Sequence, residues 1–158
     1  MRDPKMKIAV ASDHVGFGEK ERLKPLLESL EIEVVDLGAN SEDPVDYPDF
    51  AEMVAESVAT GLCDRGILVC GSGTGMAIAA NKVPGIRAAV AWNEETASLS
   101  RQHNDVNVLA VGARTTPEGQ IPSIVRAWLA AEFESGRHEV RIRKISEIEH
   151  RESSKQER

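Results

Sequence analysis

The chain lacks most of the features that would assign it to a specialised class. Of its 158 residues only Cys63 and Cys70 are cysteines, and without a secretion signal such a pair predicts no structural disulfide. Two cysteines and four scattered histidines also lack the paired spacing of a zinc site, so no metal and no cofactor are expected. Basic residues do not dominate: 19 Lys and Arg stand against 26 Asp and Glu, a net charge of −7. That balance provides no basic face for nucleic acid or for an anionic membrane. No apolar run approaches the roughly 18 residues of a membrane span, and no charged, apolar, small-residue order marks the N-terminus. A cytoplasmic protein is the expectation. No internal repeat is present.

Familiar phosphate-binding signatures are missing as well, although a glycine-rich turn is the most informative part of the chain. Position 76 is Met where G-x-G-x-x-G needs its third glycine, and no G-x-x-x-x-G-K-[ST] run exists. A Cys-x5-Arg loop would need Arg at the same position. What remains is Cys70-Gly71-Ser72-Gly73-Thr74-Gly75, in which a thiol, a hydroxyl and several free amides converge. Glycines let successive N–H groups point inward, and a following helix adds its positive end, making a pocket for negative charge. A tight strand-to-helix connection is the plain alternative, with Cys70 a small buried hydrophobe.

With 41% hydrophobic residues, the chain is long enough for one well-buried domain. Apolar or β-branched runs at 7–12, 33–38, 65–70, 87–92 and 106–111 read as five strands. Segments with helical spacing lie between them. Continuously apolar strands alternating with helices predict an α/β, Rossmann-like, three-layer domain over residues 6–150, with a five-stranded parallel sheet. Pro25 predicts a kink in the first helix or a later start to its regular part, and Pro122 marks a helix start. After Gly136, basic residues interleaved with Val140, Ile142, Ile145 and Ile148 predict a final amphipathic helix. Residues 1–5 and 151–158 are expected to be a loose extension and a disordered tail.

Ligands of open parallel sheets bind beyond the carboxyl ends of the strands. Here those ends are polar: Ser12-Asp13-His14, Cys70-Gly71-Ser72 and Gly112-Ala113-Arg114. Singly, Asp13 reads as a helix cap and His14 as a loop histidine, so the case rests on their convergence. Ser100-Arg101-Gln102-His103-Asn104-Asp105 falls at a helix end, where Asn104 reads as a plain terminator, which leaves His103 as the member of interest.

From Met6 to about His150 the sequence resembles the ribose-5-phosphate isomerase B family, which includes isomerases of allose 6-phosphate and galactose-6-phosphate isomerase subunits. The likeness rests on Ser12-Asp13-His14, Asp46-Tyr47-Pro48, the loop at 70–75, Ala79-Ala80-Asn81-Lys82, Gly85-Ile86-Arg87-Ala88, Ser100-Arg101-Gln102-His103-Asn104 and Gly136-Arg137-His138. The resemblance implies an aldose–ketose isomerase that interconverts ribose 5-phosphate and ribulose 5-phosphate through an enediolate. It makes Cys70 the proton-transfer base and His103 the ring-opening group. The amides from Gly71 through Gly73 and Thr74 to Gly75 would stabilise the enediolate, with the Ser72 hydroxyl at the reacting carbonyl end. Asp13, His14, Tyr47 and Asn104 would surround the sugar, and Arg114, Arg137 and Arg141 would hold the phosphate. The resemblance also implies a homodimer or tetramer with the site between subunits.

Isomerisation needs one group that moves a proton and donors preset for oxyanion charge, and the loop offers both. Arg137 and Arg141, four apart on a helix, share a face. Relatives that lack the cysteine carry a glutamate base just after the loop; Met76 stands there, so this chain is of the cysteine type. Ser72 replaces a common Thr and keeps the hydroxyl. Cys63 matches no family site. A six-carbon or four-carbon sugar phosphate is the nearest alternative substrate. A non-catalytic phospho-sugar sensor would need neither Cys70 nor His103, and a receiver domain would need an aspartate where Cys70 stands.

Overall fold

The structure, a computed structural model, describes residues 3–157; Met1, Arg2 and Arg158, at the outer ends of the two segments expected to be loose, lie outside them. Five strands, β1 (Lys7–Ser12), β2 (Glu33–Asp36), β3 (Arg65–Cys70), β4 (Ala88–Val90) and β5 (Val108–Gly112), alternate with α1 (Phe17–Ser29), α2 (Tyr47–Ala59), α3 (Thr74–Ala80), α4 (Glu94–Asn104) and α5 (Ile121–Ala130). A sixth helix, α6, runs from Arg137 to Gln156. The strands form one parallel sheet in the order β2-β1-β3-β5-β4, as the alternation of apolar runs and helices predicts.

Strand periodicity sorts the core into two layers. Ile8, Val10, Ile67 and Val69 face Leu23 and Leu27 of α1 and Ile124, Val125 and Trp128 of α5. Ala9, Ala11, Leu68 and Cys70 face Val54 and Ala55 of α2 and Met76 and Ala77 of α3. Each fully buried Leu or Ile side chain contributes about 1.5–3 kcal/mol, so both faces of the sheet are fixed by packing. Cys70 therefore emerges at the end of the central strand on the side that α2 and α3 cover.

Three expectations are corrected. Helix α1 is already regular from Phe17, with Pro25 inside it; the proline ring is exposed on the outer face while Leu23 and Leu27 face the sheet. The strands expected at 33–38 and 87–92 are shorter as regular elements, β2 ending at Asp36 although backbone bonds to β1 continue through Leu37 and Ala39, and β4 starting after Arg87, whose amide donates to the Asn107 side chain. Residues 151–156, expected in the tail, continue α6, where Lys155 and Glu152 form an ion pair at 2.9 Å. Polar composition there marked solvent exposure, which a helix tolerates as well as a loose chain does.

Candidate active site

Parallel strands bring their carboxyl ends to one edge of the sheet, and a cavity of about 390 Å³ opens there. Asp13, Tyr47, Cys70 and Arg114 line it together with Gly71, Ser72, Gly75 and Thr115. Larger hollows of about 590 and 690 Å³ lie elsewhere, the first beside Met6 and Ile32 at the opposite end of the strands. The smaller cavity is the one that combines a thiol, a carboxylate, a phenol and a guanidinium.

The loop is shaped by two glycines. Gly73 has φ of +80°, and a Cβ there would lie 3.2 Å from the Val111 backbone, so the turn requires glycine. Its amide consequently donates to Cys70 Sγ at 3.2 Å, and the Thr74 amide donates to Ser72 Oγ at 3.3 Å. Tyr47 packs against Gly75, where a Cβ would come 2.6 Å from its ring; the bare backbone lets the phenol line one side of the cavity. Cys70 is 5% exposed, and an amide aimed at its sulfur is a stronger partner once that sulfur carries charge.

Asp13 does two things. Its Oδ1 accepts the Gly16 amide at 2.9 Å, closing the turn that leads into α1; the cap position itself is Gly16 and not Asp13, and the Asp13 side of the turn faces the cavity. His14 Nδ1 accepts the Val45 amide at 3.2 Å, which ties the segment before Tyr47 to the end of β1 and leaves Nε2 as the donor. Arg114 passes close to Gly71, its Nη1 3.9 Å from where a Cβ would stand.

His103, Asn104, Arg137 and Arg141 are not among the residues lining this cavity. They form a second group at the end of α4 and the start of α6. His103 stacks on His138 with ring centroids 4.3 Å apart and planes 8° apart, and its Nε2 lies 3.8 Å from Glu134 Oε1. Burial, followed by the neighbouring His103 and Arg137, holds the His138 imidazole below its ordinary pKa. Arg137 and Arg141 are exposed one helical turn apart. Asn104 lines the 690 Å³ hollow with Ile145 and Ile148 of α6. His103, Glu134 and His138 place three metal-ligating atoms within 4.8 Å of one another. Their nearly parallel rings, however, aim the nitrogen lone pairs in parallel planes that do not meet on one ion.

The end of α4 is firmly held. The left-handed residue that stops the helix is Asp105, with φ of 46°, and not Asn104, which is its last helical residue. Arg101 Nη1 pairs with Asp105 Oδ1 at 2.8 Å and donates to the Val106 carbonyl at 2.8 Å. Arg87 Nη2 donates to the Asp105 carbonyl at 2.9 Å. These charge-assisted bonds outlast the ordinary fraying of a last turn. Arg87, Arg101, Glu134 and His138 had no assigned role in the sequence. The first, second and fourth stand inside recognisable motifs, whereas nothing singles out Glu134.

A family model described as Ribose/Galactose Isomerase matches residues 8–145. The chain belongs to the ribose/galactose isomerase family. Ribose-5-phosphate isomerase B of Escherichia coli (strain K12) is 49% identical over 145 residues, which cover 92% of this chain and 97% of that protein. The solved structure of the Clostridium thermocellum ribose-5-phosphate isomerase B aligns with a TM-score of 0.91 at 51% identity, over 92% of this chain and 99% of its own. The Mycoplasma genitalium ribose-5-phosphate isomerase B, solved with bound ribulose 5-phosphate, aligns with a TM-score of 0.89 at 43% identity, over 94% and 99%. The family match thus spans both the glycine loop and the His103 group. Among the described residues no helix is long and apolar enough to cross a membrane.

Proposed function

We propose that this aldose–ketose isomerase interconverts ribose 5-phosphate and ribulose 5-phosphate through a cis-enediolate, with Cys70 as the base and His103 opening the ring. The observation that carries the reading is the Gly73 amide on the Cys70 sulfur at the wall of a cavity. In the forward direction His103 moves a proton between the ring oxygen and the C1 hydroxyl, freeing the aldehyde. Cys70 then takes the C2 proton as the electron pair moves into the C1–C2 bond and charge builds on the C1 oxygen. The loop amides and Ser72 meet that charge, the C2 hydroxyl proton passes to the C1 oxygen, and as the C2–oxygen bond becomes the ketone carbonyl Cys70 returns its proton to C1. Arg114, Arg137 and Arg141 hold the phosphate, with Asp13, His14, Tyr47 and Asn104 around the sugar. Relatives named ribose-5-phosphate isomerase B at about half identity support the five-carbon substrate. Steady-state rates on four-, five- and six-carbon aldose phosphates test it. Ribose 5-phosphate should give the highest kcat/KM, and a higher value for another chain length overturns the substrate assignment.

The two groups of residues operate together across a homodimer, His103, Arg137 and Arg141 of one subunit completing the cavity of its partner. Two features support this arrangement: the cavity lining lacks all three residues, and α6 leaves Val140, Ile145 and Ile148 about half exposed. Cys70→Ala and His103→Asn proteins, each nearly inactive, should then complement after subunit exchange. Random pairing gives hybrids in half of the dimers, each with one intact site of two, so activity should reach about a quarter of wild type. Hybrids confirmed by native mass measurement yet inactive would place both residues in the site of a single chain.

A further inference from the structure

A ring-opening imidazole must present one nitrogen to the sugar oxygen at hydrogen-bond distance. His103 is poorly placed to do so by itself. It sits in the last turn of α4 with its side chain 37% exposed, where an imidazole has several rotamers open to it. The structure supplies a platform. His138, the one buried residue of α6, lies face to face with His103 at 4.3 Å and 8°. The link between the two helices is clamped, since the Glu134 amide donates to the Gln102 carbonyl at 3.0 Å and the His138 amide to the Ser135 carbonyl at 3.1 Å. Glu134 Oε1 stands 3.8 Å from His103 Nε2. The acting ring is thereby bounded on its face by His138 and at its edge by Glu134.

We propose that His138 is a positioning residue for the isomerisation, its imidazole forming the flat surface that fixes the plane of the His103 ring. The inference rests on the reading of His103 as the ring-opening group. The platform also suits a neighbour that carries a proton in transit. Around His138, burial and the charges of His103, Arg137 and Arg141 oppose its protonation, and Glu134 alone favours it. A neutral ring stacks on the imidazolium formed during proton transfer without repelling it.

The test compares His138→Ala with His138→Phe, which keeps a flat ring but no titratable nitrogen. In His138→Ala, kcat for ribose 5-phosphate should fall about tenfold with KM changed less than about twofold. In His138→Phe most of that kcat should return. The ring-current shift of the His103 carbon-bound protons in NMR spectra should be lost in the first variant and kept in the second. Adding His138→Ala to His103→Asn should cost nothing further, because the platform acts only through the ring it holds. If His138→Ala fails to fold, His138→Leu, which has bulk without a flat face, should show the same tenfold loss. Unchanged kcat in His138→Ala alongside an impaired His103→Asn overturns the positioning role alone, as do multiplicative losses in the double variant. Full activity in His103→Asn overturns the ring-opening reading itself.

Discussion

Cys70→Ala should lower isomerisation by about 10²–10⁴-fold, the usual contribution of a general base, while leaving KM within a few-fold. In the proposed reaction the sulfur shuttles the carbon-bound proton between adjacent carbons, and it sits where the Gly73 amide meets it at 3.2 Å. The arginines and Tyr47 are untouched by the substitution, so the phosphate and sugar should still bind. Proton exchange separates the two effects: wild-type protein in D2O should place deuterium on the isomerised carbon, and Cys70→Ala should do so at a rate reduced to the same degree. Iodoacetamide should inactivate the wild type, with substrate protecting it. Cys63 offers a control, since it is buried among core side chains and burial pushes its thiol pKa up; the variant should resist alkylation. Turnover near the wild-type rate in Cys70→Ala would overturn the assignment of the base.

The sheet and the glycine loop were legible in the sequence because both depend on local signals. Five apolar runs with helical spacing between them specify alternating elements. The cluster Gly71, Gly73 and Gly75 announces a backbone shape that side chains forbid, as the φ of Gly73 and the closeness of Tyr47 to Gly75 bear out. The stop of α4 falls one residue later than Asn104, because either Asn104 or Asp105 can adopt a left-handed turn and the choice falls to Arg101, one turn back, and to Arg87, on a different element, which both hold Asp105. The same limit applies to the second group of residues. His103, Arg137 and Arg141 come to attention through motifs, but the stacking of His103 on His138 joins positions 35 apart in the chain and leaves no periodic trace. Glu134 stands in a link with no pattern at all. Tertiary contacts of that kind are decided by packing, and packing is not written in any short window of sequence.

Lys20→Met should destabilise the fold by about 3 kcal/mol, the low end for breaking a buried ion pair. The Lys20 side chain is fully buried on α1, its Nζ 2.7 Å from Asp36 Oδ1 and 2.8 Å from the Ala39 carbonyl. Removing it leaves the Ala39 oxygen without its donor and Asp36 with Lys24 as its remaining cation, at 2.9 Å; that surviving pair keeps the loss near the low end. Burial alone would raise the Asp36 pKa, yet hydrogen bonds from Lys20, Lys24 and the Gly38 amide together hold it below the ordinary carboxylate value. A carboxyl with a depressed folded pKa contributes stability that is fully present above its unfolded value of about 3.9 and is lost as pH falls through the folded one. Urea unfolding should therefore show a constant gap between wild type and Lys20→Met from about pH 7 to pH 5, narrowing below about pH 4. Because the pair anchors the chain leaving β2 on its way to Tyr47, the variant should also raise KM for the sugar phosphate. A gap that stays constant down to about pH 3 would assign the loss to packing of the lysine methylenes, and a gap under about 1 kcal/mol would mean that Lys24 alone holds Asp36 in place.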